Sequence, residues 1–388
     1  MKNWERKKLG ELCGFVRGPF GGSLKKNIFK PEGYAVYEQQ HAIYDQFDDI
    51  RYFIDEKKFN EMKRFELNSG DLIMSCSGTM GKIAIVPENI KKGIINQALL
   101  KLTPSKKIST VFLKLWMQSE SFQESLKEYS GGAAIQNVAS VAILKQIEIP
   151  LPTLPEQQRI VSILDETFSA IAKAKANAEQ NLKNAKELFE SYLQGVFENG
   201  NWETKTLNQI SENLDSKRIP ITKNKRKSGD IPYYGASGIV DYVADYLFDE
   251  DLLCVSEDGA NLLARTYPIA FSISGKTWVN NHAHVLKFPN IITQKFVEVY
   301  INSIRIDDYV SGMAQPKLNQ AMLNKIPIPV PLLEEQQAIV RHLDALRAET
   351  QKLEAVYQKK ITNLEELKKS ILQKAFAGEL KNEKAILV

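Results

Sequence analysis

Residues 270–277 read AFSISGKT, which fits the loose form of a phosphate-binding loop, with Lys276 and Thr277 as the phosphate and magnesium partners. Such a loop works when it opens a helix, because the helix N-terminus turns its free N–H groups toward the phosphate. WVNNHAHVLKF follows instead, a run that predicts strand, so nucleotide chemistry is not expected. His282 and His284 stand in that run. Alternate positions of a strand share a face, so two imidazoles could share a metal. No Cys or carboxylate cluster lies beside them in sequence, and a structural or recognition role is the stronger reading; no metal is expected. Cys13, Cys76 and Cys254 are isolated, neither a CxxC pair nor an even-numbered disulfide set, as in a reducing compartment. No Asn/Asp-Pro-Pro-aromatic segment of an amino-methyltransferase and no glycine-rich strand-to-helix turn for a cofactor stands out. The chain is expected to perform no catalysis of its own and to hold no cofactor.

What the residues offer instead is recognition. Duplex DNA asks for cations toward phosphate and for polar side chains toward base edges. Lys25 and Lys26 lie in a glycine-flanked loop close to Arg17 and Lys30. KRIPITKNKRK (217–227) carries six basic residues in eleven, Lys217, Arg218, Lys223, Lys225, Arg226 and Lys227, and Tyr233 and Tyr234 follow it. Gln39, Gln40 and His41 are base-edge candidates in the first half of the chain; Asn280, Asn281 and His282 are their counterparts in the second. A basic run standing alone is more often a solvated loop, so these groups need an architecture that presents them together.

That architecture is a repeat. Ile147–Glu166 and Ile326–Ala345 align at an offset of 179 with twelve of twenty positions identical, around PEQQRIVSILD and EEQQAIVRHLD. The register continues from Glu187, Leu188, Ser191 and Phe197 to Glu366, Leu367, Ser370 and Phe376. Weaker echoes precede each copy: NWERKKLGEL and NWETKTLNQI, GDLIMSCSG and EDLLCVSEDG, INQALLKL and NNHAHVLKF. Prolines before each QQ pair end a strand and admit a helix start. Ile160, Leu164, Phe168, Ile171, Ala174, Ala178, Leu182, Ala185, Phe189 and Tyr192 then step by three or four. So do Ile339, Leu343, Leu346, Thr350, Leu353, Tyr357, Ile361, Leu364, Leu367 and Ile371. Each copy predicts a helix of about 43 residues, roughly 65 Å long at ~1.5 Å per residue. Gly195, Gly200 and Gly378 read as stops.

The blocks before the helices read as mixed α/β. Short β-like runs include GDLIMS, GKIAIVP, INQALLKL and QIEIPLP in the first, and DLLCVS, YPIAFSIS and HAHVLKF in the second. A helix pair is expected over 108–130 and a helix over TQKFVEVYINSI. The expected domains are a head at 1–150, a helix at 151–200, a second head at 201–330, a second helix at 331–380 and a tail at 381–388. The fold class is α+β: two mixed heads joined by two long helices in an antiparallel coiled coil, related by a pseudo-two-fold axis. Such pairing would return the chain to the first head and set the heads at opposite ends of a rod. The 388 residues are 43% hydrophobic and 25% charged with a net charge of +4. No apolar run reaches the ~18–20 residues that span a bilayer, and MKNWERKKLGEL has no apolar signal core, so a cytoplasmic location without membrane contact is expected. Charge is uneven: 22 basic and 17 acidic residues lie in 1–150, against 14 and 14 in 201–330.

This order of head, helix, head, helix resembles the specificity subunit of bacterial type I restriction–modification enzymes. The likeness rests on IPLPTLPEQQRIV and IPIPVPLLEEQQAIV, on FGGSLKKN, SGTMGKIAIVP and GIINQALLKL in the first head, and on SGMAQPKLNQAML before the second signature. The second head departs from it, with SEDGANLLA where SGTMGK is expected. The resemblance implies that each head is a target-recognition domain reading half of a split double-stranded DNA target, and it adds Ser23, Thr79 and Lys82 to the DNA-facing candidates. It implies that the helices dock two modification subunits, which carry S-adenosylmethionine and methylate adenine, with Glu156, Gln157, Gln158, Glu335, Gln336 and Gln337 at the docking positions. Capping or head–helix packing is the competing role of those glutamines. Restriction (motor–nuclease) subunits would join for cleavage. The alternative function is a coiled-coil assembly scaffold whose two heads bind protein partners.

Overall fold

The computed structural model describes residues 4–20, 22–129, 140–312 and 314–380; the tail expected at 381–388 lies outside the described residues. The chain divides into two compact units, Met1–Ala178 with Lys359–Val388, and Glu179–Gln358. Each unit holds one head together with part of both long helices, Leu154–Asn199 and Leu333–Phe376.

In the first unit a four-stranded antiparallel sheet runs Cys13–Arg17, Leu99–Pro104, Leu72–Ser75, Ile83–Ile85. A three-stranded sheet runs Phe53–Ile54, Tyr34–Tyr37, Gly93–Ile95, its last pair parallel. The proline-bearing strand Glu148–Leu151 pairs antiparallel with Glu5–Lys8 and delivers the chain to the first long helix. Thr110–Met117 and Glu120–Tyr129 form the expected helix pair, the first capped by Ser109, whose hydroxyl accepts from Phe112 N. Leu72, Leu100, Leu102, Phe112 and Trp116 form one core with Ile160 and Leu164 of the first long helix and Ile371, Leu372 and Ala375 of the second. Each large side chain buried there contributes about 1.5–3 kcal/mol.

The second unit repeats the plan. Its four-stranded sheet runs Glu212–Asn213, Ala283–Lys287, Leu252–Ser256, Ala270–Ile273. In both units the four strands, counted in chain order, lie 1–4–2–3 across the sheet. A second sheet runs Gly238–Val243, Ile231–Gly235, Lys276–Val279, Phe248–Asp249, again with a parallel pair at Tyr233–Trp278. Thr204–Thr206 pairs with Pro327–Pro329, and the helix Ile291–Ser303 packs on the core. The hairpin Ile231–Gly235 to Gly238–Val243 is not in the sequence reading: its Tyr-Tyr-Gly and Gly-Ile-Val lack a clean alternation. Gly275 leads into the strand Lys276–Val279, so SGKT opens no helix.

The helices pair antiparallel within each unit. In the first, Lys175 Nζ meets Glu365 at 2.5 Å and Lys368 lies 4.9 Å over the Phe168 ring. In the second, Arg347 lies 4.8 Å over Phe189 and Tyr192 faces His342. Ala178 and Ala185 are buried in the seam, where a small side chain allows close approach. Tyr192, Leu353 and Leu367 were expected in it but stay at least 40% exposed, because at ~3.6 residues per turn a spacing of three and four drifts off one face of the helix. Gly195 does not stop the first helix, which runs on to Asn199. Gly378 does stop the second: at φ +73° it allows Gly378 N to reach Ala375 O and Glu379 N to reach Lys374 O, a double closure that satisfies the last carbonyls.

Candidate nucleic-acid interface

One end of each four-stranded sheet gathers the loops that carry the polar candidates. In the first unit Leu72–Ser75 runs into the SGTMGK turn. Ser75 Oγ donates to Thr79 O at 2.6 Å and accepts from Lys82 N at 2.9 Å. Gly78 and Gly81 take the positive φ that this turn needs. Gln39 docks on it, its Nε2 donating to Thr79 O at 3.2 Å and its Oε1 accepting from Ser77 Oγ at 3.3 Å. Strand Cys13–Arg17 leaves the same end through Gly18, where a Cβ would stand 1.9 Å from Asn96 O, so only glycine lets this loop cross the Asn96–Ala98 turn. The structure thus brings Arg17, Gln39, Thr79 and Lys82 to one end of the sheet, with Ser23, Lys25 and Lys26 exposed on the loop that leaves it. Arg17 is half-buried beside the Cys76 thiol. Burial pushes that thiol up to about 12 and Arg17 partly opposes the shift, so the cysteine is inert at neutral pH.

Two expectations fail in this head. His41 is fully buried, with Nδ1 against Glu38 N at 2.8 Å and Nε2 against Asp49 O at 3.0 Å, so it offers no edge to a base. Gln40 spends its Nε2 on Asp49 O at 3.0 Å. Both pin the Gln39–Tyr44 helix to the following loop. His41 turns inward, and Gln40 turns its amide back from a part-exposed position, because backbone groups eight or nine residues on demand partners.

In the second unit the basic run divides. Lys217, Lys223, Lys225 and Lys227 are exposed. Arg218 instead donates to Glu257 Oε2 at 2.8 Å and to Ala283 O at 2.6 Å, and lies 3.5 Å from Asp215. Arg226 binds Asp241 at 2.9 Å and stacks 4.3 Å over Tyr233. Tyr233 is 1% exposed and its hydroxyl accepts from Ile221 N at 3.0 Å. These three residues hold the basic loop and do not project from it, a correction to their reading as DNA contacts. Asn280 is also buried, its Oδ1 accepting from His282 N at 2.8 Å. His282 is exposed against Asp258 at 2.7 Å.

His282 stands in the turn before the strand, whereas His284 lies within the strand. It is buried with Nδ1 at 2.6 Å from Asp215 and Nε2 at 2.8 Å from Leu318 O. Asp215, Glu257 and His284 come close enough to suggest a metal site. Their donors are spent within the protein: Arg218 and Lys317 hold Glu257, at 2.8 and 3.2 Å, and both ring nitrogens of His284 are engaged. Burial works to raise both carboxyl pKa values. For Asp215 the His284 contact, the Val285 N–H and Arg218 outweigh it, and for Glu257 Arg218, His284 and Lys317 do, so both lie below the ordinary carboxylate values.

The family described as "Type I restriction modification DNA specificity domain" matches residues 1–183 and 199–363. The chain belongs to this family. It is a specificity subunit, a DNA sequence-recognition chain of a kind that is not itself catalytic, which favours DNA over the scaffold reading. A Haemophilus influenzae protein provisionally named a type I restriction enzyme specificity subunit is 33% identical over 47% of this chain and 51% of that relative, about half the relative's length. The type I restriction enzyme MjaVIII specificity subunit of Methanocaldococcus jannaschii is 24% identical over 98% of this chain and 93% of its own. The solved HsdS subunit of Thermoanaerobacter tengcongensis shares the fold with a TM-score of 0.66, at 18% identity and over 98% of both chains.

At the helix starts of this specificity subunit the six docking candidates separate by burial. Gln157 is fully buried: Oε1 accepts from Ser109 N at 2.8 Å, and Nε2 donates to Pro152 O at 2.9 Å and Lys107 O at 3.3 Å. Gln336 is 4% exposed and donates to Pro331 O at 2.8 Å. Both tie a helix to its own unit and are removed from the docking set. Gln158 and Gln337 are exposed, Glu156 pairs with Arg159 at 2.8 Å, and Glu335 accepts from Trp202 Nε1 at 3.0 Å. Among the described residues no helix is long and apolar enough to cross a membrane.

Proposed function

We propose that each unit of this specificity subunit reads one half of a bipartite double-stranded DNA target through the loop-bearing end of its four-stranded sheet. The observation that carries this reading is the repetition: two divergent sequences build the same 1–4–2–3 sheet. Each places exposed lysines around it, Lys25, Lys26 and Lys82 in one and Lys217, Lys223, Lys225 and Lys227 in the other. The lysines serve phosphate, which gives affinity without sequence information. Ser23, Thr79, Asn281 and His282 are the uncharged or imidazole candidates of the sequence reading left exposed for base or phosphate contact. Arg17, Gln39 and Gln40 shape the first head's loops, and Arg218, Arg226, Tyr233 and Asn280 those of the second. In the reaction this chain directs, two modification subunits dock near Gln158 and Gln337 and methylate adenine with S-adenosylmethionine bound to them, not to this chain. Restriction subunits join for cleavage, and the assembly works in the cytoplasm.

Exchange of residues 1–150 for another head tests this. Mapping methylated adenines in cells is expected to show one half of the target changed, with the other half and the gap retained. Both halves changing together would refute independent reading.

A further inference from the structure

The two heads share more than topology. Asn96 N donates to Tyr37 O at 2.9 Å, and Asn280 N to Tyr234 O at 3.0 Å. Cys76 N donates to Ala98 O and Glu257 N to His282 O, both at 2.9 Å. Asn96 Oδ1 accepts from Ala98 N at 2.9 Å, and Asn280 Oδ1 from His282 N at 2.8 Å. The strand registers agree, with Ser75 opposite Leu99 and Ser256 opposite Ala283. Three independent pairs of bonds therefore set Asn96 equivalent to Asn280. In each head this asparagine folds back on the backbone two residues on, a local turn that asparagine forms readily. The turn fixes the backbone of one further residue in each head, the one at its crest: Gln97 in the first and Asn281 in the second.

Both crest residues are exposed. Both carry a side-chain amide, and both are flanked by backbone bonded on one side to a strand of the unit's second sheet, at Tyr37 or Tyr234, and on the other to the residue that follows a strand of its 1–4–2–3 sheet, Cys76 or Glu257. Gln97 opens onto a cleft of about 210 Å³ that Glu38 and Tyr52 also line. Arg51, bonded to Glu38 at 3.0 Å, stands 5.7 Å over Tyr52, so a cation flanks the cleft. A side-chain amide offers a donor and an acceptor side by side, the complement of the N6 donor and N7 acceptor of adenine in the major groove.

We propose that Gln97 and Asn281 occupy one and the same base-reading position, one per head, and that each reads an adenine in its own half-site. The proposal rests on the reading of the heads as DNA-binding units. The neighbouring asparagines, Asn96 and Asn280, are the positioning residues that hold the crest.

The test uses the full chain purified with its modification subunits, selecting duplexes from a randomised library. The parent complex should select adenine at one position in each half-site. Gln97→Ala should relax that position in one half-site by roughly 5- to 150-fold, the range for loss of a paired contact to a base, and leave the other half-site intact. Asn281→Ala should do the converse. Gln97→Glu, equal in size but acceptor-only, should shift the preference at that position toward cytosine, whose N4 donates. Because it keeps the side chain's shape, it still decides the matter if the alanine variant folds poorly. Variant complexes that select the parent profile at every position overturn the assignment while leaving the heads as DNA readers. A parent complex that selects no sequence overturns that underlying reading as well.

Discussion

Gln157 and Gln336 stand at equivalent positions of the repeated helix start, yet they should differ sharply when truncated. Gln157→Ala removes three hydrogen bonds and leaves Ser109 N–H and two carbonyls without their partner in a buried site. At about 1 kcal/mol per bond, and more where a buried donor is stranded, the loss is about 3–4 kcal/mol. Gln336→Ala removes one bond, worth about 1 kcal/mol, but also removes Gln336 Oε1, which is buried without a protein partner and costs about 1–3 kcal/mol as it stands. Its net effect on these terms is close to zero. Apolar contact and cavity terms for deleting the same side chain are common to both and cancel in the comparison. The difference of about 3 kcal/mol converts to about 6–12 °C of melting temperature for a body of this size, at ~2–4 °C per kcal/mol. Calorimetry of the full chain reads it, with hydrogen exchange assigning each transition to its unit. Equal losses in the two variants, or a larger loss for Gln336→Ala, would refute the accounting.

Two further outcomes follow from the same geometry. Asp215 and Glu257 have folded pKa values below their ordinary values of 3.8 and 4.5, so their contribution to stability is complete above about pH 4.5 and fades as pH falls through the folded values. Circular dichroism in an acid titration should show the second unit losing structure in that range, and Asp215→Asn should flatten the slope; an unchanged slope counts against the cluster. For docking, Gln158→Lys combined with Gln337→Lys should weaken assembly with the modification subunits about tenfold, equivalent to ~1.4 kcal/mol, without moving the melting temperature. A complex of undiminished affinity would remove these positions from the interface.

The long helices are legible in the sequence because two signals agree there, a spacing of three and four and a repeat at 179 residues. Apolar strands such as Leu72–Ser75 and Leu252–Ser256 are legible from short runs between turn residues, whereas Glu5–Lys8, Cys13–Arg17 and Glu212–Asn213, short or polar, are not. What the sequence hides is which polar residues turn inward. Arg218 and Lys217 look alike in a basic run, but Arg218 meets Glu257 and Asp215, one of them 39 residues away. His41 and Tyr233 are drawn inside by backbone groups that only the fold brings within reach. The equivalence of the two heads is hidden differently. Letter similarity sets Ala98 of INQALLKL against Ala283 of NNHAHVLKF, whereas the hydrogen bonds set Ala98 against His282, one residue earlier. The equivalence of Gln97 with Asn281 at the crest of the turn becomes visible only after that slip is corrected.

The second unit is one continuous stretch, Glu179–Gln358, that interrupts the sequence of the first, whose piece Lys359–Val388 is made after it. A ribosome therefore releases everything the second unit needs before it releases Ile371, Leu372 and Ala375, which complete the core of the first. The head translated first is the one that must wait longest to bury its apolar face. A nonsense mutation near residue 358 would spare the nearby head and unsettle the distant one. For this chain, damage after residue 358 is registered in the head that precedes residue 151.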